Sequence, residues 1–177
     1  MSLSRRRFLA MSGGIAALAA LPLAIARPAP EVEIAMRGTA RGERVWFTPL
    51  GVAVAPSTRV RFVNRDPGNS HTATAYHPMN FERPNRVPDA AIPFHSGFLL
   101  PGDTFEVVLD APGVYDYYCQ PHERAGMVGR IVVGIPETPG WQREVVETTH
   151  VAAAALAALP SVEKILAHGQ VMPEEAA

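Results

Sequence analysis

The stretch Cys119-Gln120-Pro121-His122-Glu123-Arg124-Ala125-Gly126-Met127 places a thiol, an imidazole and a thioether in one loop between two candidate strands. A second imidazole stands upstream at His71, after the turn Asn64-Arg65-Asp66-Pro67-Gly68. Two imidazoles and one thiolate in a trigonal plane, with a weak axial thioether, are the donor set in which copper moves between Cu(I) and Cu(II). Soft sulfur favours Cu(I), and imidazole tolerates both states. Rigid donors that suit neither state perfectly change little on electron transfer. The candidate ligands are therefore His71, Cys119, His122 and Met127 of a single copper ion. Four protein ligands leave no open position for a substrate, whereas catalytic metals keep one. The donor set points to outer-sphere electron transfer and away from an enzyme.

Plainer readings compete with each residue. A single Cys is more often a buried structural thiol, and a Met beside a strand is often core packing. His77 is an alternative first histidine. It lies six residues after His71, and six residues of strand span roughly 20 Å, so the two cannot share one ion. His71, at the end of the turn, is the preferred ligand. His77 and His95 read as polar loop residues, and His150 and His168 as solvated tail residues. A Cys119–His122 nucleophile would need an orienting group and an oxyanion site, and neither is evident. An exported copper storage or delivery protein is the alternative function. Such proteins favour exposed Met- or Cys-rich clusters, and this chain has one Cys and six scattered Met.

Short strands punctuated by Pro and Gly must position these donors. Candidates are Val32 to Met36, Val45 to Thr48, Val52 to Val54, Arg59 to Val63, Phe105 to Leu109, Val114 to Tyr118 and Val128 to Val133. Phe105, Val107 and Leu109 share one face, as do Tyr115, Tyr117 and Cys119. Pro101-Gly102-Asp103 and Ala111-Pro112-Gly113 are turns. With no βαβ rhythm, the set points to an antiparallel sandwich or barrel. Residues 77–97 are too long for a hairpin and should cross one end or carry a short helix. Pro136 and Pro139-Gly140 mark a boundary. Beyond it, 151–159 is rich in Ala and Leu, and 161–169 reads as a helix with Ser161 as N-cap and Gly169 at its C-terminal end.

The N-terminus reads as an address. Ser4-Arg5-Arg6-Arg7-Phe8-Leu9 precedes an uncharged stretch to Ala26, with Ala24-Ile25-Ala26 as a small-residue cleavage site. Paired arginines before Phe-Leu resemble a twin-arginine export signal, which implies a periplasmic or other extracytoplasmic location. If retained, the segment would tether the protein to a membrane. The division expected is 1–26 signal, 27–135 copper domain and 136–177 helical extension. Residues 1–26 carry three arginines and no acid, so the remainder has 13 Lys and Arg against 17 Asp and Glu. A net charge of −4 argues against a nucleic-acid partner, which needs a basic surface.

The Cys-x-x-His-x-x-x-x-Met loop, Tyr115-Asp116-Tyr117-Tyr118 before it and Val128 to Val133 after it resemble the small blue-copper proteins, or cupredoxins, of the plastocyanin, pseudoazurin and halocyanin type. The turn Asn64-Arg65-Asp66 leading to His71 is similar to that family's first-histidine strand. The likeness spans roughly residues 30–135. It implies a Greek-key β-sandwich, one type 1 copper and transient redox partners, a membrane-bound electron-transfer complex among them. The family usually has Asn after the first histidine. Here Thr72 stands there, so Thr72, with Asn64, is the expected support around the ligands. Glu123 and Arg124 stand where plastocyanin has small or neutral residues, which should make the surface around His122 more polar.

Overall fold

The computed structural model describes residues 30–146 and 148–174. The expected signal segment, 1–26, lies outside the described residues. Four strands form one sheet in the order β2 (Val45–Thr48), β1 (Glu31–Gly38), β4 (Thr58–Asn64), β6 (Thr104–Leu109). A second sheet runs β5 (Thr74–Ala75), β7 (Gly113–Tyr118), β8 (Val128–Val133), β3 (Gly51–Val54), β9 (Gln170–Val171). The pairings β1–β4 and β3–β8 are parallel, and the other described ones are antiparallel. The result is the expected all-β sandwich with a helical tail.

The first sheet has one dry face. Ile34, Met36, Phe47, Val60 and Phe62 point into the shared core, while Arg59, Arg61, Glu33 and Glu106 pair on the wet side. This is the alternation that a half-solvated sheet requires. Strands β7 and β8 are different, because every residue in them is buried. Their inner faces give Tyr115, Tyr117, Ile131 and Val133 to the main core, where Tyr117 packs edge-on against Phe47 and Phe62. Their outer faces are covered by the tail. Helix α2 (Val162–His168) packs Val162 and Ile165 on Val114 and Val132. Helix α1 (Ala153–Ala158) sets Ala155 beside Tyr76, Tyr118 and Val128. At Gly51 a Cβ would come within 2.6 Å of the Ile165 side chain and 2.8 Å of Pro160, so a glycine lets α2 lie down on β3.

The tail is held by chemistry as well as packing. Asp116, buried on β7, receives two bonds from Arg130, at 2.6 and 3.0 Å, and a third from Arg86 at 2.9 Å. Arg130 also donates to the Pro160 carbonyl at 2.9 Å. Ser161 caps α2 by accepting from the Lys164 N–H, and Gly169 ends it at φ 75°. The chain then returns as β9, a strand that the sequence reading did not anticipate. Its two residues pair with Gly51 and Val52, and two residues carry too little pattern to recognise.

Ile165→Ala should lower the unfolding free energy by about 2–5 kcal/mol, read by denaturant titration, because it opens a cavity under the tail. Alkali should destabilise the fold as well. Burial pushes the Tyr115 and Tyr118 hydroxyls up to about 12 from the ordinary 10.0, and raises Tyr76 and Tyr117 too. The unfolded chain therefore gives up these protons first, and stability falls as pH rises above about 10. Tyrosinate absorbance should appear together with unfolding, rather than gradually at the free-tyrosine pH.

Candidate metal centre

The site lies where two loops meet at one end of the sandwich. The first loop leaves β4 at Asn64 and reaches His71. Asn64 organises it. Its Nδ2 donates to the carbonyls of Asn69 and Leu99, both at 2.9 Å, and its Oδ1 accepts from the Asp66 N–H at 2.9 Å. His71 then pairs with Leu99 through both backbone groups. The second loop leaves β7 at Cys119 and runs as a 3-10 turn over Gln120–Ala125. Gly126 closes that turn at φ 81°, a left-handed conformation that suits glycine. The Cys119 N–H donates to the Met127 carbonyl at 2.9 Å, so Met127 returns beside Cys119.

Thr72 clamps the two loops together. Its N–H points at Cys119 Sγ across 3.3 Å, and its Oγ1 accepts from the Gln120 N–H at 2.8 Å. The same hydroxyl contacts Thr74 Oγ1, which in turn meets His95 Nδ1, each at 2.9 Å. As a result His71 Nδ1 lies 3.2 Å from His122 Nδ1 and 3.6 Å from Cys119 Sγ, while Cys119 Sγ lies 3.4 Å from His122 Nδ1. A point equidistant from these three atoms is about 2 Å from each, close to the length of a metal–imidazole bond. Among the described residues, these three side chains are the group of His, Cys and carboxylate donors close enough to hold a metal ion. The donor set, one thiol and two imidazoles, fits copper. Met127 is fully buried in the same apolar cluster as Cys119.

The surroundings shape the protonation of the donors. Burial pushes the Cys119 thiol up to about 11, although hydrogen bonds from the Thr72 and His122 segments oppose it. A metal must therefore displace a proton from sulfur. Burial, and then the neighbouring His71, hold His122 below the ordinary histidine value, with Asp66 opposing. His71 and Cys119 have no exposed surface, whereas His122 is half-buried.

The other histidines do not join the cluster. His77 Nδ1 accepts from the Met79 N–H, and the exposed His95 packs edge-on against Phe81. His150 and His168 are exposed. The expectation for Glu123 needs correction. It does not add polarity around His122 but turns inward and is buried, accepting from the Tyr76 hydroxyl at 2.8 Å and pairing with Arg83. Arg83 also lies over the rings of Tyr76 and Tyr118. Its partners come from residues 76–83, a segment whose sequence shows no period. In the sequence Asp66 stands simply as part of a turn. It proves to be a buried carboxylate whose Oδ2 is 2.9 Å from His71 Nε2. Its position five residues before the histidine was the available signal.

Comparison with known proteins agrees with this geometry. The model of the copper-binding plastocyanin/azurin family matches residues 34–134. The chloroplastic plastocyanin major isoform of Arabidopsis thaliana is 35% identical over 124 residues, covering 68% of this chain and 70% of that protein. The chloroplastic plastocyanin of Chlamydomonas reinhardtii is 37% identical over 90 residues, covering 49% of this chain and 57% of that protein. A pseudoazurin structure from Sinorhizobium is 28% identical with a TM-score of 0.52, covering 77% of this chain and 94% of that one.

Thr72→Val keeps the shape but leaves the Gln120 N–H without its acceptor. It should cost about 1–3 kcal/mol in the copper-free protein, and the Gln120 amide should exchange with solvent faster in hydrogen-exchange measurements.

Proposed function

Because the chain belongs to the plastocyanin/azurin family of copper-binding proteins, we propose that it carries single electrons between redox partners through one copper held by His71, Cys119, His122 and Met127. Copper is the cofactor and electron transfer the activity of this family. The observation that carries the ligand assignment is the convergence of the two imidazoles and the thiol, with contacts of 3.2, 3.4 and 3.6 Å.

When bound, copper supplies a one-electron couple between Cu(I) and Cu(II). Cys119 would supply a thiolate, His71 and His122 imidazoles that serve both oxidation states, and Met127 a thioether. Thr72 and Asn64 hold the two loops in register, so the donors need little rearrangement when the charge changes. Half-buried His122 provides the route to the surface. Phe98 and Leu100, both 60% exposed, flank Leu99, the backbone partner of His71. They give this end of the sandwich an apolar surface suited to a small, transient interface.

The working location is outside the cytoplasm, reached by a twin-arginine-type signal in residues 1–26. The copper domain is 27–135 and the helical extension is 136–177. Partners are soluble redox proteins or a membrane-bound electron-transfer complex. The protein catalyses no reaction of its own. Storage or delivery of copper is disfavoured by burial, because a thiol and a histidine with no exposed surface exchange metal slowly.

Adding Cu(II) to the purified protein should produce an intense visible band that bleaches on reduction and returns on oxidation. Cys119→Ser should abolish it. Met127→Leu should keep it and raise the reduction potential, since losing a donor costs Cu(II) more than Cu(I). A wild-type complex with no such band, losing its copper rapidly to a chelator, would favour the storage and delivery role.

A further inference from the structure

The two imidazoles of the centre are not equivalent. His122 is half-buried on the ligand loop. His71 is fully buried, with Nδ1 turned to Cys119 and His122 and Nε2 turned away to Asp66 Oδ2, at 2.9 Å. Asp66 is itself 1% exposed and tied at both oxygens. Its Oδ1 accepts from the N–H groups of Gly68, at 2.9 Å, and Asn69, at 3.3 Å. Its Oδ2 also accepts from Asn69 Nδ2 at 2.9 Å. The end of β1 leaves room for it, because any Cβ at Gly38 would overlap the carboxylate. A loop that only needed to turn could have used an exposed Asp. This one delivers a fixed anion to the far side of a buried histidine.

We propose that Asp66 is a positioning residue for the metal centre, one that keeps His71 in its Nε2–H form with Nδ1 free for the ion and lowers the reduction potential of bound copper. This rests on the ligand assignment above. A carboxylate of this kind is an acceptor, so the proton between the two groups belongs to His71 Nε2, and the lone pair of the neutral ring is left on Nδ1. The bond also fixes the ring plane. A negative charge behind the imidazole makes it a richer donor, and the doubly charged ion gains more from that than the singly charged one. Asn69 moderates the effect, because its amide draws charge from the same Oδ2.

Two variants of the full chain test this, with Cu(II) as the probe. Asp66→Asn removes the charge with almost no change of shape. It should keep the blue band and raise the potential by about 59 mV, a tenfold shift in the ratio of Cu(II) to Cu(I) affinity. Asn69→Ala leaves more charge on Oδ2 and should move the potential the other way. Blue bands in both variants with potentials equal to wild type would overturn the proposal. If Asp66→Asn does not fold, a downward shift in Asn69→Ala supports it and an unchanged potential overturns it. Wild type without a blue band is the separate failure of the ligand assignment. In that event nitrogen NMR of the copper-free protein decides: wild-type His71 protonated at Nε2 supports the positioning role, and protonation at Nδ1 overturns it.

Discussion

Everything at the copper end of the sandwich depends on the clamp that Thr72 forms across two loops far apart in sequence. The loop that carries His71 and the loop that carries Cys119 and His122 belong to different parts of the chain, and the second is only a short 3-10 turn over Gln120–Ala125. Thr72 joins them with two contacts from one residue, the N–H to Cys119 Sγ and the Gln120 N–H to its hydroxyl. An amide N–H directed at a thiolate stabilises negative charge on sulfur, so the link that brings the donors together also tunes one of them. A longer amide side chain at this position would reach farther. The hydroxyl suffices here because the β5–β7 pairing of Thr74 with Tyr118 already brings the backbones close.

The clamp can be this small because the elements behind it are buried throughout. Strand β7 delivers Cys119 and strand β8 receives Met127, and both strands are buried on two faces. Burying the outer face creates an electrostatic problem, since Asp116 points into it. A lone carboxylate there would be costly, and Arg130 and Arg86 neutralise it with well-formed bonds. The same Arg130 reaches the Pro160 carbonyl, so neutralising the strand and anchoring the tail are one interaction. Next to it, the Arg83–Glu123–Tyr76 contact ties the ligand loop to the long 77–97 excursion. Helix α1 closes over Tyr118, the residue before the cysteine.

The parts that could be read from the sequence were those governed by local rules. Strand alternation put Tyr115, Tyr117 and Cys119 on one face, and they share one core. The Ser161 cap and Gly169 stop bounded α2 because capping acts within one turn. The donor types and their spacing pointed to the histidine, cysteine and histidine that come together. What escaped was set by distant partners. Glu123 reads as a surface acid until Tyr76 and Arg83 are seen beside it. Asp66 reads as a turn residue because Asp is common in turns, and its second role depends on a histidine five residues on and a glycine across the sheet. The strand β9 exists only because the tail folds back over β3.

The asymmetry between the histidines is therefore the deepest consequence of the fold. Both are imidazoles by type, yet one is sealed against a carboxylate and the other stands half in solvent. A centre with two exposed histidines would exchange metal readily, and one with two buried histidines would have no short path to a partner. Placing the buried one on the loop stiffened by Asn64 and Asp66, and the half-buried one on the short turn after Cys119, separates the two demands. The inner loop thus holds its imidazole away from solvent, and the outer loop leaves its imidazole partly at the surface. The cost is a buried carboxylate beside the metal centre, and it is tolerable only because every donor needed to satisfy Asp66 comes from its own turn or from His71.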